Sequence, residues 1–336
     1  MSAVLIRLRP TGPWRIGPDS GDRDRVDRVY HSDALYSAVC AAMARLGALD
    51  EWLDATARAA EPAVRFSSCF PFHNDMLYVV PPQHVWPPPA SSKVRWKGAR
   101  FVPLKAVEGL LAGKPPSEDS WVIDGESECL MPASAPPGAC LFRASVRSSA
   151  AMDRAGEGSV SHSMACVEFT SGSGLWFVAA FADDAASALW LGRLQTAIRL
   201  LADSGFGGER SRGWGRAEMP EFTVGELPQL LLHDSESEGE TGHWMLSLFH
   251  AAASDGIEWQ RGNYTLATRG GRIESAAGWG GRKKNTRMVA EGSVLVAAAE
   301  PRGSAADVAP EGFAHPVYRA GFALSLRVPL KVPAAS

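Results

Sequence analysis

Residues 205–216 read GFGGERSRGWGR. Gly205, Gly207, Gly208, Gly213 and Gly215 alternate with Arg210, Arg212 and Arg216, the hydroxyl of Ser211 and the aromatics Phe206 and Trp214. Glycine admits positive φ and lets a backbone come close to a ligand. Arginine forks match phosphate oxygens, and aromatic faces accept stacked bases. The segment therefore reads as a surface for a phosphodiester backbone, with the amides of Gly207, Gly208 and Gly213 approaching phosphates. Phe206 and Trp214 have two readings, base stacking and burial against their own sheet. A phosphate loop of the GxxxxGK[ST] type is excluded because no lysine follows the glycines. A dinucleotide fingerprint is excluded because it needs a strand before the loop and a helix after it, whereas here a helical pattern precedes and a strand pattern follows.

A second glycine–arginine group is Arg269, Gly270, Gly271 and Arg272, followed by Arg282, Lys283, Lys284 and Arg287. Between 261 and 287 seven cations face one acid, Glu274. This stretch reads either as an extension of a basic groove or as a solvated charge run. His31, Ser32 and Asp33 open a helix, whose N-terminal amides are suited to a phosphate; Asp33 there complements the helix dipole. Arg154, beside Asp153, lies in a polar hairpin. As acid–base candidates only His31 and His250 stand out, and a lone histidine is more often structural. His233–Asp234 lacks metal-ligand spacing, no carboxylate cluster suits two-metal chemistry, and no GxSxG elbow is present. These patterns mark no metal or serine-nucleophile centre, and His31 and His250 leave a metal-independent ribonuclease reading open.

The elements that must position these residues follow from pattern. With 336 residues the chain is long enough for two cores. Net charge is −3, so general polyanion binding is not expected and local patches decide partners. Five cysteines without a CxxC pair fit a reducing cytoplasm. No signal peptide or membrane-length apolar run is found, so a cytoplasmic location without membrane contact is expected. Residues 3–9 alternate as a strand. Ser32 is the expected cap of a helix with Leu35, Val39, Ala42, Met43 and Leu46 on its stripe and Gly47 at its end. A short helix follows at 50–60. The proline- and tryptophan-bearing stretch 62–142 reads as a long insertion, with a strand-like run at 76–80 and five cations between 93 and 105. Strands are expected at 141–147, 164–169 and 175–181, a helix from Asp184 to Gly205, then the glycine-rich loop and a strand at 218–225. The acidic run 233–242 reads as a linker, and strands dominate beyond it, at 244–249, 264–269, 292–299 and 321–328.

The expected fold class is α+β: two ferredoxin-like (RRM-like) domains, with a long insertion in the first and the glycine-rich loop before its last strand. The first spans 1–226 with its insertion at about 62–142; the second, strand-rich, spans 243–336.

With that order in hand, the chain resembles the RAMP superfamily of CRISPR proteins, and within it the fourth-Csm-subunit family, the Cas-five-group members of type III-A effector complexes. HSDALYSAV (31–39), FSSCFPF (66–72) with Tyr78, AAMDRAGEGSV (150–160), GFGGERSRGWGR, YTLATRGGRI (264–273), RKK (282–284), EGSVL (291–295) and HPVYRAGFAL (315–324) carry the match in the family's order. The hairpin departs from the family pattern at Ala155 and Gly156, and 81–140 has no counterpart. The resemblance implies a non-catalytic RNA-binding subunit, with no catalytic residue, metal or cofactor, that holds the 5′ handle of the CRISPR RNA. It implies docking on the large polymerase/nuclease subunit and on the first backbone RAMP subunit, with a thumb-like hairpin near the target RNA. Three alternatives stay open: a metal-independent CRISPR-RNA-processing endoribonuclease, the equivalent capping subunit of a type III-B complex, and a scaffold that makes protein contacts only.

Overall fold

A computed structural model describes residues 1–336 except 19–20, 91, 153–158, 233–238, 276–277 and 332–336. In chain order the first part runs β1 (Ser2–Leu8), α1 (Ser32–Arg45), α2 (Leu49–Ala55), β2 (Val64–Phe66), β3 (Phe70–His73), β4 (Met76–Val79), β5 (Val102–Pro103), α3 (Leu104–Leu111), β6 (Trp121–Asp124), β7 (Cys129–Pro132), β8 (Phe142–Met152), β9 (Ser159–Phe169), β10 (Ser173–Phe181), α4 (Asp184–Ser204) and β11 (Glu221–Glu226). A seven-stranded antiparallel sheet has the order β11-β1-β10-β3-β4-β5, with β2 also on β10. The last strand of this part thus lies beside the first, and β10 lies on the other side of β1. Every residue of β10 is buried, which is why LWFVAAF is a continuous apolar run rather than an alternating one.

Helix α1 buries Leu35, Val39, Ala42 and Met43 as expected. Leu46 leaves the stripe: it is the C-cap and is 42% exposed. The N-cap is His31, not Ser32. Helix α4 is capped by Asp183, whose carboxylate accepts from the Ala186 amide at 2.7 Å; it begins one residue after that cap and buries Trp190, Leu194, Ala197, Ile198, Leu201 and Ala202.

The expected insertion starts too early at 62. Strands β2, β3 and β4 belong to the main sheet, and the decoration begins only beyond β4. Pro71 and the Ser67–Ser68 pair hid these strands, because a break in one strand reads as a loop. At that break the Ser67 hydroxyl accepts from the Val178 amide, 2.9 Å, while Ser67 N donates to Val178 O, 2.9 Å. The freed amides of Ser68 and Cys69 donate to Leu246 O and Tyr30 O, both 2.8 Å. The decoration itself has a core: α3 buries Leu104, Val107 and Leu110, and Trp86 meets Trp96 edge-on at 5.9 Å.

The second part runs β12 (Thr241–Met245), β13 (Leu266–Arg269), β14 (Arg272–Ser275), β15 (Gly278–Arg282), β16 (Thr286–Val289), β17 (Val294–Leu295), β18 (Gly303–Asp307), β19 (Tyr318–Phe322) and β20 (Ser325–Pro329). They form a β17-β12-β20 sheet and three two-stranded ribbons, β13-β16, β14-β15 and β18-β19. A strand-rich second part was expected, but the two helices of a second ferredoxin-like unit are not among the described residues. The β19 ribbon packs instead on α1, with Tyr36 edge-on to Phe322 at 5.6 Å. Buried residues from both parts, Tyr36 and Trp52 with Trp244, Phe322 and Leu326, share one apolar cluster.

Candidate nucleic-acid interface

The glycine-rich loop begins where α4 stops, at Gly205, φ 98°. It is pinned mainly to the segment after β1. Gly208 N donates to Arg15 O at 3.0 Å, and Gly215 N to Pro13 O at 2.9 Å. A Cβ on Gly207, φ 72°, would lie 2.4 Å from Arg15 O, and one on Gly215, φ 80°, would lie 2.0 Å from Phe206 O. The loop therefore needs glycine at these two positions to pack on its own chain. The amides of Gly208 and Gly213 are already used, the latter on Arg210 O at 2.9 Å, which corrects the expectation that they approach phosphates. Arg15, which pattern reading passed over, is a buried clamp. Its guanidinium donates to Ala165 O at 2.8 Å, to Asp22 O at 2.5 Å and to Arg25 O.

Of the loop's two aromatics, Phe206 is 1% exposed, stacked on Trp14 at 5.2 Å and 15° and edge-on to Tyr30 at 6.2 Å. It fills space that the glycines leave and has no face for a base. Trp214 is half-buried. A short 3₁₀ turn, Arg210–Arg212, follows Glu209, whose φ of 58° is left-handed. Ser211 and Arg216 are exposed and Arg210 is half-buried. The Arg216 carbonyl accepts from Thr11 N and Trp14 Nε1, both 3.1 Å, so its backbone is fixed while its side chain faces solvent. Arg212 is exposed, yet its guanidinium is engaged by β8 and β9: Nη1 donates to Ser149 Oγ at 3.2 Å, Nη2 to His162 Nε2 at 2.8 Å, and Nε pairs with Glu209 at 3.1 Å. Arg154, the hairpin candidate, lies outside the described residues.

The N-terminus of α1 is no anion site. Ser32 N donates to Ser68 Oγ at 2.8 Å, Ser32 Oγ accepts from Leu248 N at 3.0 Å, and Ser68 Oγ donates to Glu291. The Ser32 amide is thus taken by a hydroxyl that itself serves a carboxylate of the second part, and the Ala34 and Leu35 amides donate to His31 O, both at 3.0 Å. His31 lies between two acids, Nδ1 at 2.7 Å from Glu291 and Nε2 at 3.0 Å from Asp27. Burial lowers its pKa, but the Glu291 charge and the hydrogen bonds to Asp27 and Glu291 outweigh burial and raise it to about 9. A buried imidazolium clamped at both nitrogens is not a general base. Burial raises the Asp27 and Glu291 carboxyls, and His31 more than offsets this, so both fall below the usual range. His250 is likewise engaged, with Nδ1 at 2.9 Å from Ser304 Oγ.

Arg269 is corrected in the same way. It is 6% exposed and grips Asp33 through Nε at 3.2 Å and Nη2 at 2.9 Å, while Arg319 Nη1 reaches the same carboxylate at 3.0 Å. Burial raises the Asp33 pKa, and the two guanidiniums overcome it, giving a net lowering. Arg319 also donates to the Gly270 carbonyl. Gly271, Arg272, Arg282 and Lys284 are exposed, and Arg272 faces Arg282 across the β14–β15 ribbon. Lys283 is half-buried, and burial lowers its pKa. Asp27, Glu291 and Arg319 were missed because each acquires its role only in a cluster whose members come from both ends of the chain; EGSVL and HPVYRAGFAL were noticed without a pairing.

Two basic surfaces remain: the loop face with Arg210, Ser211, Trp214 and Arg216, and the ribbon with Arg272, Arg282 and Lys284. Tyr30 lies between the loop and α1, its ring against Phe206 and its hydroxyl 3.5 Å from Ala34 O. Among the described residues no group of three or more His, Cys, Asp or Glu is placed to hold a metal, and no described helix is long and apolar enough to cross a membrane.

Residues 238–328 match the family model described as the CRISPR Csm4 C-terminal domain. No curated protein matches the chain. A chain of the Csm3-Csm4 subcomplex in the type III-A CRISPR-Cas interference complex is similar at 16% identity and TM-score 0.66, covering 97% of this chain and 99% of that one. A chain of the Csm1-Csm4 cassette in complex with cA4 is similar at 19% identity and TM-score 0.57, covering 99% of each. The fold over nearly the whole length is Csm4-like.

Proposed function

We propose that this chain is an RNA-binding, non-catalytic subunit of a type III-A CRISPR effector complex that holds the 5′ handle of the CRISPR RNA. The observation that carries the reading is the match of residues 238–328 to the Csm4 C-terminal domain, on a chain whose whole length follows a Csm4-like fold. In this reading the first part is a ferredoxin-like βαββαβ unit, β1–α1–β2/β3–β10–α4–β11, with the glycine-rich loop between its last helix and last strand. Its protein partners are Csm1-like and Csm3-like subunits, the pairings named for the similar structures.

The loop face does the holding. Arg210 and Arg216 pair with phosphate oxygens, Ser211 donates a hydroxyl, and the accessible part of Trp214 stacks on a base. The β14–β15 ribbon extends the basic track through Arg272, Arg282 and Lys284. Clamped as it is, His31 serves the joint between the two parts rather than chemistry.

The test is fluorescence anisotropy of the full chain with handle RNA against an unrelated single strand, across a salt series. Handle RNA is expected to bind tighter, and the Arg210→Ala/Arg216→Ala double variant is expected to lower the log–log salt slope by ~1.4, at about 0.7 per phosphate contact. Equal affinity for both RNAs, alone and with a Csm1-like partner present, would sink the reading.

A further inference from the structure

Strands β8 and β9 form a ribbon of eleven paired positions, from Phe142↔Phe169 to Met152↔Ser159. A lone two-stranded ribbon is marginally stable in water, so its direction depends on what holds it. Near its base β9 is held by the segment after β1: Val167 N donates to Trp14 O at 2.8 Å and Ala165 N to Arg23 O at 2.8 Å. Farther out, Arg212 reaches the ribbon from the glycine-rich loop.

That contact is a closed network. Arg212 Nη1 reaches Ser149 Oγ and Nη2 reaches His162 Nε2, while Ser149 Oγ and His162 Nε2 are 2.9 Å apart. Because Nε2 accepts from the guanidinium, the imidazole carries its proton on Nδ1. Glu209 takes the remaining Nε–H at 3.1 Å, which orients the fork. Ser149 and His162 face each other across the ribbon, so one side chain from the loop engages both strands at once.

We propose that Arg212 is a positioning residue: it clamps the β8–β9 ribbon to the glycine-rich loop and so fixes the spacing between the RNA segment held at the loop and the segment the ribbon reaches. The functional half of this statement rests on the RNA-binding reading above; the clamp itself does not. A flexible loop arginine used only for phosphate binding has no need of three protein acceptors. A cation with its Nε and both Nη nitrogens engaged is a hinge pin between two elements.

The experiment compares wild type with His162→Ala, His162→Gln and Arg212→Ala. His162→Gln keeps an acceptor for the guanidinium. Hydrogen exchange on the full chain is read at amides 145–150 and 161–164. His162→Ala and Arg212→Ala are each expected to raise exchange there by about tenfold or more, with α1 and β10 unchanged and with His162→Gln near wild type. The Arg212→Ala/His162→Ala double variant is expected to be no faster than Arg212→Ala alone. In the complex reconstituted with guide RNA, 2-aminopurine is walked along the guide. His162→Ala, which leaves the loop arginines in place, is expected to retain handle affinity within about twofold yet spread the unstacked signal over neighbouring positions. His162→Gln is expected to restore a single position.

Exchange within about twofold of wild type in both alanine variants, or fully additive effects in the double variant, overturns the clamp. An unshifted 2-aminopurine position despite faster exchange overturns its positioning role. Failure of wild type to prefer handle RNA refutes the RNA-binding reading instead, and the exchange measurement still decides the clamp.

Discussion

Asp33→Asn tests the joint between the two parts of the molecule. Asp33, Arg269 and Arg319 side chains are 6%, 8% and 4% exposed, and three hydrogen bonds of 2.9–3.2 Å join them. The amide is nearly isosteric, so packing survives. What is lost is the charge that two buried guanidiniums share, and one amide NH₂ is forced toward them. Breaking a buried pair by removing one partner costs about 3–5 kcal/mol, because the remaining charge stays uncompensated. With two cations on one carboxylate, the upper part of that range is expected. At a urea m-value of about 3 kcal/mol/M the midpoint falls by ~1.3–1.7 M. The assay is urea unfolding followed by tryptophan fluorescence and far-UV circular dichroism together, since a chain of this size can lose one part first. Asp54→Asn is the control: Asp54 pairs with Arg58 at 2.8 Å but is 67% exposed, and no measurable midpoint shift is expected there. Equal, small shifts for both variants would refute the claim that burial, not ion pairing as such, gives Asp33 its weight.

Three further outcomes are expected. His31 has a folded pKa of about 9 against an ordinary 6.5, so the folded state binds its proton more tightly. Its contribution is full below about pH 6.5 and is lost as pH rises through about 9, and thermal melts of His31→Gln should lack that slope. Phe206→Ala removes a ring stacked on Trp14 and should cost about 3–5 kcal/mol of stability, read by denaturation, whereas a ring that serves RNA alone would change affinity and not stability. Gly215→Ala meets the Phe206 carbonyl and should disorder the loop by hydrogen exchange; Gly213→Ala, with the same φ of 80° but open space around it, should cost only about 1–2 kcal/mol.

Much of the fold was legible because it is encoded locally. The strand at Ser2–Leu8 was found from its apolar residues, although Ala3 to Ile6 are all buried rather than alternating, and the stripes and glycine stops of α1 and α4 follow from a period of 3.6. The strand, helix, loop, strand order around GFGGERSRGWGR excluded cofactor-loop readings without any coordinates. Broken strands were illegible for the opposite reason: β2 and β3 are short, and Ser67 replaces a ladder bond with its hydroxyl, so no periodicity survives. The candidate site divided along the same line. Exposure of Ser211 and Arg216 agrees with a polar, glycine-spaced segment. Nothing local distinguishes Arg269 from Arg272 or Arg212 from Arg216, and tertiary partners divert the first of each pair.

By itself the sequence determined the element order, the excess of arginine and glycine at two places, the absence of a Walker or dinucleotide fingerprint, and the ordered resemblance to a RAMP family. Tertiary structure alone decided which charges face water. Asp33 draws Arg269 and Arg319 into the interior, Asp27 and Glu291 hold His31, and Phe206 lies under Trp14. A charge or ring is spent inside the protein only when a partner distant in sequence meets it with the right geometry, and burial then multiplies the energy of that meeting. Residue type and spacing carry no record of such long-range pairings, so the loop's composition pointed to phosphate while its side chains were divided between the solvent and the fold.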